Sequence, residues 1–298
     1  MDQNFFKTTP MANIFNAVEF CFWDIGARGD FDNTFAAFAW AVDAVGFEPD
    51  PAAFEKLSPT GQWRSEAFID AAIGDSSGEN TLNITTDPIG SSFLDPDSAI
   101  GERYHLTDLF SVKERVTVST LTLQDALIQK ALTPPDLLKL DVEGLELAVL
   151  EAGADILKSV VAIKVEGAFL PQRLGQPLAP ELIAWLEVQG FCLMDIIELS
   201  KWRSRSWAVD PYSVRNSPSY SRGRLVQADF LFLREPEMVD REIAAKAALA
   251  AIGMGFFDHG LEIFEACQQE LTDSFDIKPE AFHAAVNATV PALWQSAG

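Results

Sequence analysis

The chain has 298 residues, 48% of them hydrophobic and 22% charged, and its formal net charge is −22. That length suits one large domain, or one domain with a helical annex, and the composition excludes disorder as the dominant state. So acidic a surface repels polyphosphate, which argues against nucleic acid and anionic membranes as partners.

Cys21, Cys192 and Cys267 lie far apart and form no CxxC or Cys/His cluster. Buried free thiols, a reducing cytoplasmic location and no dedicated metal site are the expectations. The opening "MDQNFFKTTPMANIFNAVEF" lacks a basic leader followed by a sustained apolar core, so a signal peptide is not expected. No run of about 18 uninterrupted apolar residues predicts a membrane span.

In chain order, "VEFCFWDIGARGD" (18–30) reads as a strand buried on both faces, ending at Asp24 before Gly26 and Gly29. "FDNTFAAFAWA" follows as a helix with Asp32 or Asn33 as cap. A second apolar strand ends at Glu48, and Asp50-Pro51 opens the next helix. That order outlines a right-handed βαβ unit. "SEAFIDAAIGDSSGENTLNIT" predicts a third strand and then a hairpin turned at residues 75–78. Residues 86–111 carry Pro, Gly, Ser and Asp without a period and predict a loop over the site, with "GSSFL" inside it. "RVTVSTLTLQDALIQKAL" predicts a strand running into a helix capped near Thr122. In "LLKLDVEGLELAVLEAG" the spacing predicts a strand over 137–142, a turn, and a helix over 145–152 stopped by Gly153. "SVVAIKVEGAF" is another buried strand ending at Glu166, "PLAPELIAWLEVQG" an amphipathic helix, and "FCLMDIIEL" and "LVQADFLFLR" the final strands. From Glu237 onward only helical patterns remain. The expected fold is therefore α/β, with helices on both faces of a mostly parallel sheet. The expected division is an N-terminal segment 1–19, a main domain 20–235 and a C-terminal helical extension 236–298. The extension offers a surface for homo-oligomer formation.

In an open parallel sheet, ligands bind beyond the carboxyl ends of the strands. Four strands here end in Asp24, Glu48, Asp141 and Glu166. Each acid alone is explained as a helix cap or a solvated turn; four on one edge point to a site. Glycines after the first strand let backbone approach a ligand. Glu48 stands where an acid accepts hydrogen bonds from ribose hydroxyls, at close to the roughly 20-residue spacing of a nucleoside-binding unit. The turn Gly26-Ala27-Arg28-Gly29-Asp30 lacks the third glycine of the dinucleotide fingerprint. Asp24, Asp30 and Asp32 crowd it with negative charge, which suits a cationic ligand such as S-adenosylmethionine.

The pieces "FWDIGARGD", "VGFEPDP", "AAIGDSSGE", "SSFL", "VTVSTLTLQDAL", "LLKLDVEGLELAVLEAGADIL", "VEGAF" and "ADFLFLR" resemble, in order, the FkbM-type S-adenosylmethionine-dependent methyltransferases over about residues 20–234. The resemblance implies a Rossmann-like class I methyltransferase sheet of seven strands with a reversed last strand. It implies that Asp24, Gly26 and Ala27 line the methionine end of the cofactor, with Gly29 in the same turn. It further implies that Glu48 holds the ribose, that Asp141 sits by the sulfonium, and that a hydroxyl of a sugar, glycan or natural product is methylated. The family turn usually reads Asp-x-Gly-Ala-Asn-x-Gly; here Arg28 stands for the asparagine, and Gly29-Asp30 replaces x-Gly.

A hydroxyl nucleophile benefits from a general base, and the candidates are Asp141, Glu143, Glu166 and His105. A divalent ion between Asp141, Glu166 and the acceptor is conceivable, but no metal motif predicts one. Ser92 and Glu166 are candidates for acceptor contact. So are Arg203 and Arg205, in a stretch from Lys201 to Arg224 that holds six bases, one acid, two tryptophans and two tyrosines. Two other readings stay open: a nicotinamide-dependent oxidoreductase on the same sheet, and a non-catalytic binding or scaffold protein.

Overall fold

Along β1 (Phe20–Ile25) side chains alternate between two cores, as the period of a strand requires. Phe20 and Phe22 face one, and Cys21, Trp23 and Ile25 face the other. A computed structural model describes residues 2–204, 212–213 and 222–296. β2 (Val42–Phe47), β3 (Ser65–Ile69), β7 (Leu137–Leu140) and β8 (Ala162–Ala168) run parallel to β1 in one sheet. Between β3 and β7 come β4 (Ala72–Ile73), β5 (Gly78–Thr85) and β6 (Val112–Leu121), which form a separate three-stranded sheet. The chain ends its sheet with β9 (Phe191–Trp202), β10 (Tyr212–Ser213) and β11 (Arg224–Arg234). The main sheet has the order β10-β9-β11-β8-β7-β1-β2-β3, with β11 antiparallel to both β8 and β9. This is the Rossmann-like sheet with a reversed last strand that the resemblance implies, extended by the two-residue β10.

Two expectations need correction. No hairpin closes at residues 75–78, because β6 lies between β4 and β5, parallel to one and antiparallel to the other. The strand before Thr122 therefore belongs to the small sheet. Residues 86–111 are not all loop: Asp97 caps a helix over Ser98–Tyr104, and a further turn of helix spans Thr107–Phe110. The helix expected after β1 is present with Asp32 as its cap, spanning Asn33–Ala41 as 3₁₀ turns kinked at Phe38.

The face holding Phe20 and Phe22 is covered by the N-terminal residues Phe6 and Phe15 and by helices from the C-terminal extension. Ala247, Leu249, Phe264 and Phe282 join the same buried cluster. An ion pair fastens that extension to the sheet. Lys246, on the helix Ala244–Gly253, sits 2.8 Å from both oxygens of Asp136, just ahead of β7. Asp136 is buried and also accepts the Cys21 amide N–H (2.8 Å). Removing the amine leaves a buried carboxylate without its cation, which is more damaging than losing the pair as a whole. Lys246→Met should cost about 2 kcal/mol in denaturant unfolding. Adding Asp136→Asn should recover most of that, and a double variant as unstable as the single one would contradict it.

Candidate functional site

The carboxyl ends of β1, β2 and β7 meet the 88–93 segment and one face of the small sheet around a cavity of about 470 Å³. Gly26, Glu48, Asp141 and Glu143 line it on the main-sheet side, and Ser92 on the overlying segment. Leu82, Ile84, Val116 and Val118 of the small sheet form an apolar wall. The volume lies within the range of small-molecule sites.

Close approach of two strand ends shapes the floor. Gly26 has φ 85°, and a Cβ there would collide with the carbonyl oxygen of Asp141. Only glycine lets the β1 turn touch the end of β7. Glu48 is nearly buried and accepts the Asp50 amide N–H (2.7 Å). Burial pushes its carboxyl up, opposed by that amide and by the Arg28 charge.

Two lysines missed by the sequence reading hold this edge together. Asp24, Lys139 and Lys164 lie in register on β1, β7 and β8. Lys139 Nζ lies 3.2 Å from Asp24 Oδ1 and 3.6 Å from Asp141 Oδ2, and donates to the Gly26 carbonyl (3.0 Å). Lys164 Nζ lies 2.7 Å from Asp32 and 2.9 Å from Asp229. The Asp32 amide donates to Asp24 Oδ2 (2.7 Å), which joins the two groups. Burial pulls both lysines down, but their acids outweigh it and hold both above the usual range. Burial raises the Asp24 carboxyl, and Lys139 opposes it.

Asp24 is fully buried beneath the turn and does not line the cavity; neither do Ala27 and Gly29. Glu143 has a left-handed φ of 56°, unusual for a side chain with a Cβ. Its carboxylate pairs with buried Arg173, and its carbonyl accepts the Ser92 hydroxyl (2.7 Å). Burial raises its carboxyl while Arg173 opposes that.

Glu166 does not line the cavity, but its carboxylate comes within 4.8 Å of that of Asp141, which does. It accepts from Gln227 Nε2, and Gln227 accepts from Gln172. Asp141, Glu146 and Glu166 each bring an oxygen within 4.8 Å of the others, a spacing a hard cation fits. Glu146 receives the Val142 and Gly144 amides, at 3.0 and 3.1 Å. Burial first, then Asp141, Glu143, Glu146 and Asp229, push the Glu166 carboxyl well above the carboxylate range.

His105 is apart from this group. It ends the helix Ser98–Tyr104 in a left-handed conformation, its ring nitrogen lies 3.1 Å from the Ser204 carbonyl, and it does not line the cavity. Arg203 is buried just past the end of β9 and does not line the cavity, while Arg205 lies outside the described residues. The missed residues had a signal: Lys-x-Asp and Lys-x-Glu recur at the ends of β7 and β8. A lysine two residues before a strand-end acid shares its face.

Residues 24–193, more than half of the chain, match the FkbM methyltransferase domain. The chain belongs to the FkbM methyltransferase family. No curated protein matches it. Among solved structures it is similar to the precorrin-6Y C5,15-methyltransferase of Geobacter metallireducens, with 11% identity over 76% of this chain and 87% of that one, TM-score 0.30. A putative tRNA methyltransferase of Streptococcus pneumoniae shares 10% identity over 88% and 96%, TM-score 0.30. Its complex with S-adenosyl-L-methionine shares 11% over 93% and 97%, TM-score 0.29. Likeness at that level adds no argument to the family match.

The acids of this FkbM methyltransferase make the edge expensive to fold. A carboxyl raised above its unfolded value stabilises the fold while protonated. That contribution is complete below the unfolded pKa of about 4.3 and is lost as pH rises through the folded value. Glu166→Gln removes the loss. It should be more stable than the parent by about 1 kcal/mol at pH 8, with a smaller difference at pH 5. Denaturant unfolding at both pH values measures this, and an equal difference at both would show that ionisation of Glu166 is not the cost.

Proposed function

We propose that the protein uses S-adenosylmethionine to methylate a hydroxyl oxygen of a small-molecule or glycan acceptor. The observation that carries this is the convergence of Gly26, Glu48 and Asp141 on one cavity whose surroundings are dominated by carboxylates. The donor set fits the cofactor. Glu48 accepts hydrogen bonds from a ribose diol, and the apolar wall receives an adenine ring. Asp141 balances the positive charge of the ammonium and sulfonium. S-adenosylmethionine, when bound, supplies an electrophilic methyl group.

The chain's own task is to hold the nucleophile and manage its proton. Orientation of reacting groups is worth up to about 7–11 kcal/mol. Glu166 takes the acceptor's hydroxyl proton. Its raised affinity for protons brings it toward the range where a general base both ionises and accepts effectively. Gln227 fixes one of its oxygens, leaving the other for the acceptor. Glu143 serves the architecture, because Arg173 engages its carboxylate. Ser92, which lines the cavity, is the further residue proposed to meet the acceptor, whereas Arg203 is buried and does not line it. Lys139 sets the spacing of Asp24, Gly26 and Asp141 from below.

Asp141→Ala should weaken S-adenosylmethionine binding by roughly a hundredfold, the loss expected when a charge-assisted contact disappears from a partly buried site. Calorimetric titration, with a thermal melt to show that the variant is folded, measures this. Unchanged affinity in a folded variant would remove Asp141 from the cofactor site.

A further inference from the structure

The ligand proposed above carries a carboxylate as well as its positive centres, and the cavity is poorly prepared for it. Glu48, Asp50, Glu114, Asp141 and Glu143 all line it. An anion desolvated among them without a cationic partner is strongly disfavoured. The β1 turn offers few backbone donors. The amides of Gly26 and Ala27 both donate to the Phe47 carbonyl (3.0 Å each), and that of Arg28 to the Gly26 carbonyl (2.9 Å). The amides of Phe31 and Asp32 donate to Asp30 and Asp24, each at 2.7 Å. Those of Gly29 and Asp30 remain, and the charge of Asp30 opposes an anion there.

Among the described residues that line the cavity, Arg28 is the only cation. Its guanidinium bridges two residues of the lining, 3.4 Å from Asp50 Oδ2 and 3.4 Å from the Pro88 carbonyl. Both contacts are longer than a usual N–H···O bond, and the side chain is 45% exposed. An exposed pair of this kind contributes little and is given up easily. A guanidinium, in contrast, binds a carboxylate through two parallel hydrogen bonds.

We infer that Arg28 binds the carboxylate of the cofactor's amino-acid moiety and so selects for a ligand that carries one. This rests on the S-adenosylmethionine reading and adds a residue and a chemical preference to it. Arg28 leaves Asp50 and the Pro88 carbonyl to reach the carboxylate, which ties the turn to the ligand.

The test compares S-adenosylmethionine with decarboxylated S-adenosylmethionine, by calorimetry, on the parent protein, Arg28→Gln and Arg28→Lys. Arg28→Gln should weaken S-adenosylmethionine roughly ten- to hundredfold. It should leave the decarboxylated ligand unchanged or bind it tighter, because a cation has left an acidic cavity. Arg28→Lys should fall between the parent and Arg28→Gln. Retained binding of the decarboxylated ligand also shows that the variant is folded. Parallel weakening of both ligands, or no change in either, would overturn the assignment of Arg28 while leaving the cofactor reading intact. A folded parent protein that binds neither ligand would overturn the cofactor reading, and this inference with it.

Discussion

Lys139 and Lys164 occupy positions that the alternation of β7 and β8 would otherwise give to core side chains, and the whole site edge is organised around them. Taking an ammonium group out of water is costly unless good geometry and several acids repay it. Each lysine has at least two: Asp24 and Asp141 for Lys139, Asp32 and Asp229 for Lys164. The Asp32 amide then links one group to the other through Asp24. Because Lys139 also holds the Gly26 carbonyl, the same ammonium that neutralises the acids fixes the turn that faces the cavity. Asp24 therefore works from beneath, as the anchor of Lys139.

Two lysines do not balance the acids gathered there. Glu143 has Arg173, but among the described residues neither Glu146 nor Glu166 has a cation in direct contact, and both are pushed toward their protonated forms, by burial above all. Such an excess is a standing cost to folding, and a site that needs it trades stability for function. A cationic ligand relieves the strain that the fold accepts. The same excess makes the edge hostile to a carboxylate, and Arg28 is the only cation among the described residues that line the cavity.

Much of this was legible in the sequence because it is local. Apolar runs ending in Asp24, Glu48 and Asp141 placed the strands and their edge, and the caps at Asp50 and Thr122 were readable from residue type alone. What was hidden depends on partners far along the chain. Whether β5 pairs with β4 or with β6 is decided by residues 27 to 42 positions apart, and hydrophobic alternation looks the same in either case. Lys139 and Lys164 were absorbed into runs read as apolar. Each becomes interpretable only when the strand register sets it beside Asp24, Asp32 or Asp229. Glu143 was read as a candidate base because its partner, Arg173, lies 30 residues on.

Glu143 also shows how the overlying segment is held. A left-handed conformation at a residue with a Cβ persists only where its surroundings impose it. Here Arg173 holds the side chain and the Ser92 hydroxyl holds the carbonyl. Arg173 Nη2 also reaches the Gly90 carbonyl (3.4 Å), and Ser92 pairs with Asn83 of β5. The strained turn after β7, the 88–93 segment and the small sheet are thus one connected unit around the cavity. Pulling the segment away would break the contacts that hold Glu143 in its unfavourable conformation. The turn carrying Asp141 and the cover above it are therefore coupled. A change at Arg173 should then be felt at Asp141, although the two side chains have no contact of their own.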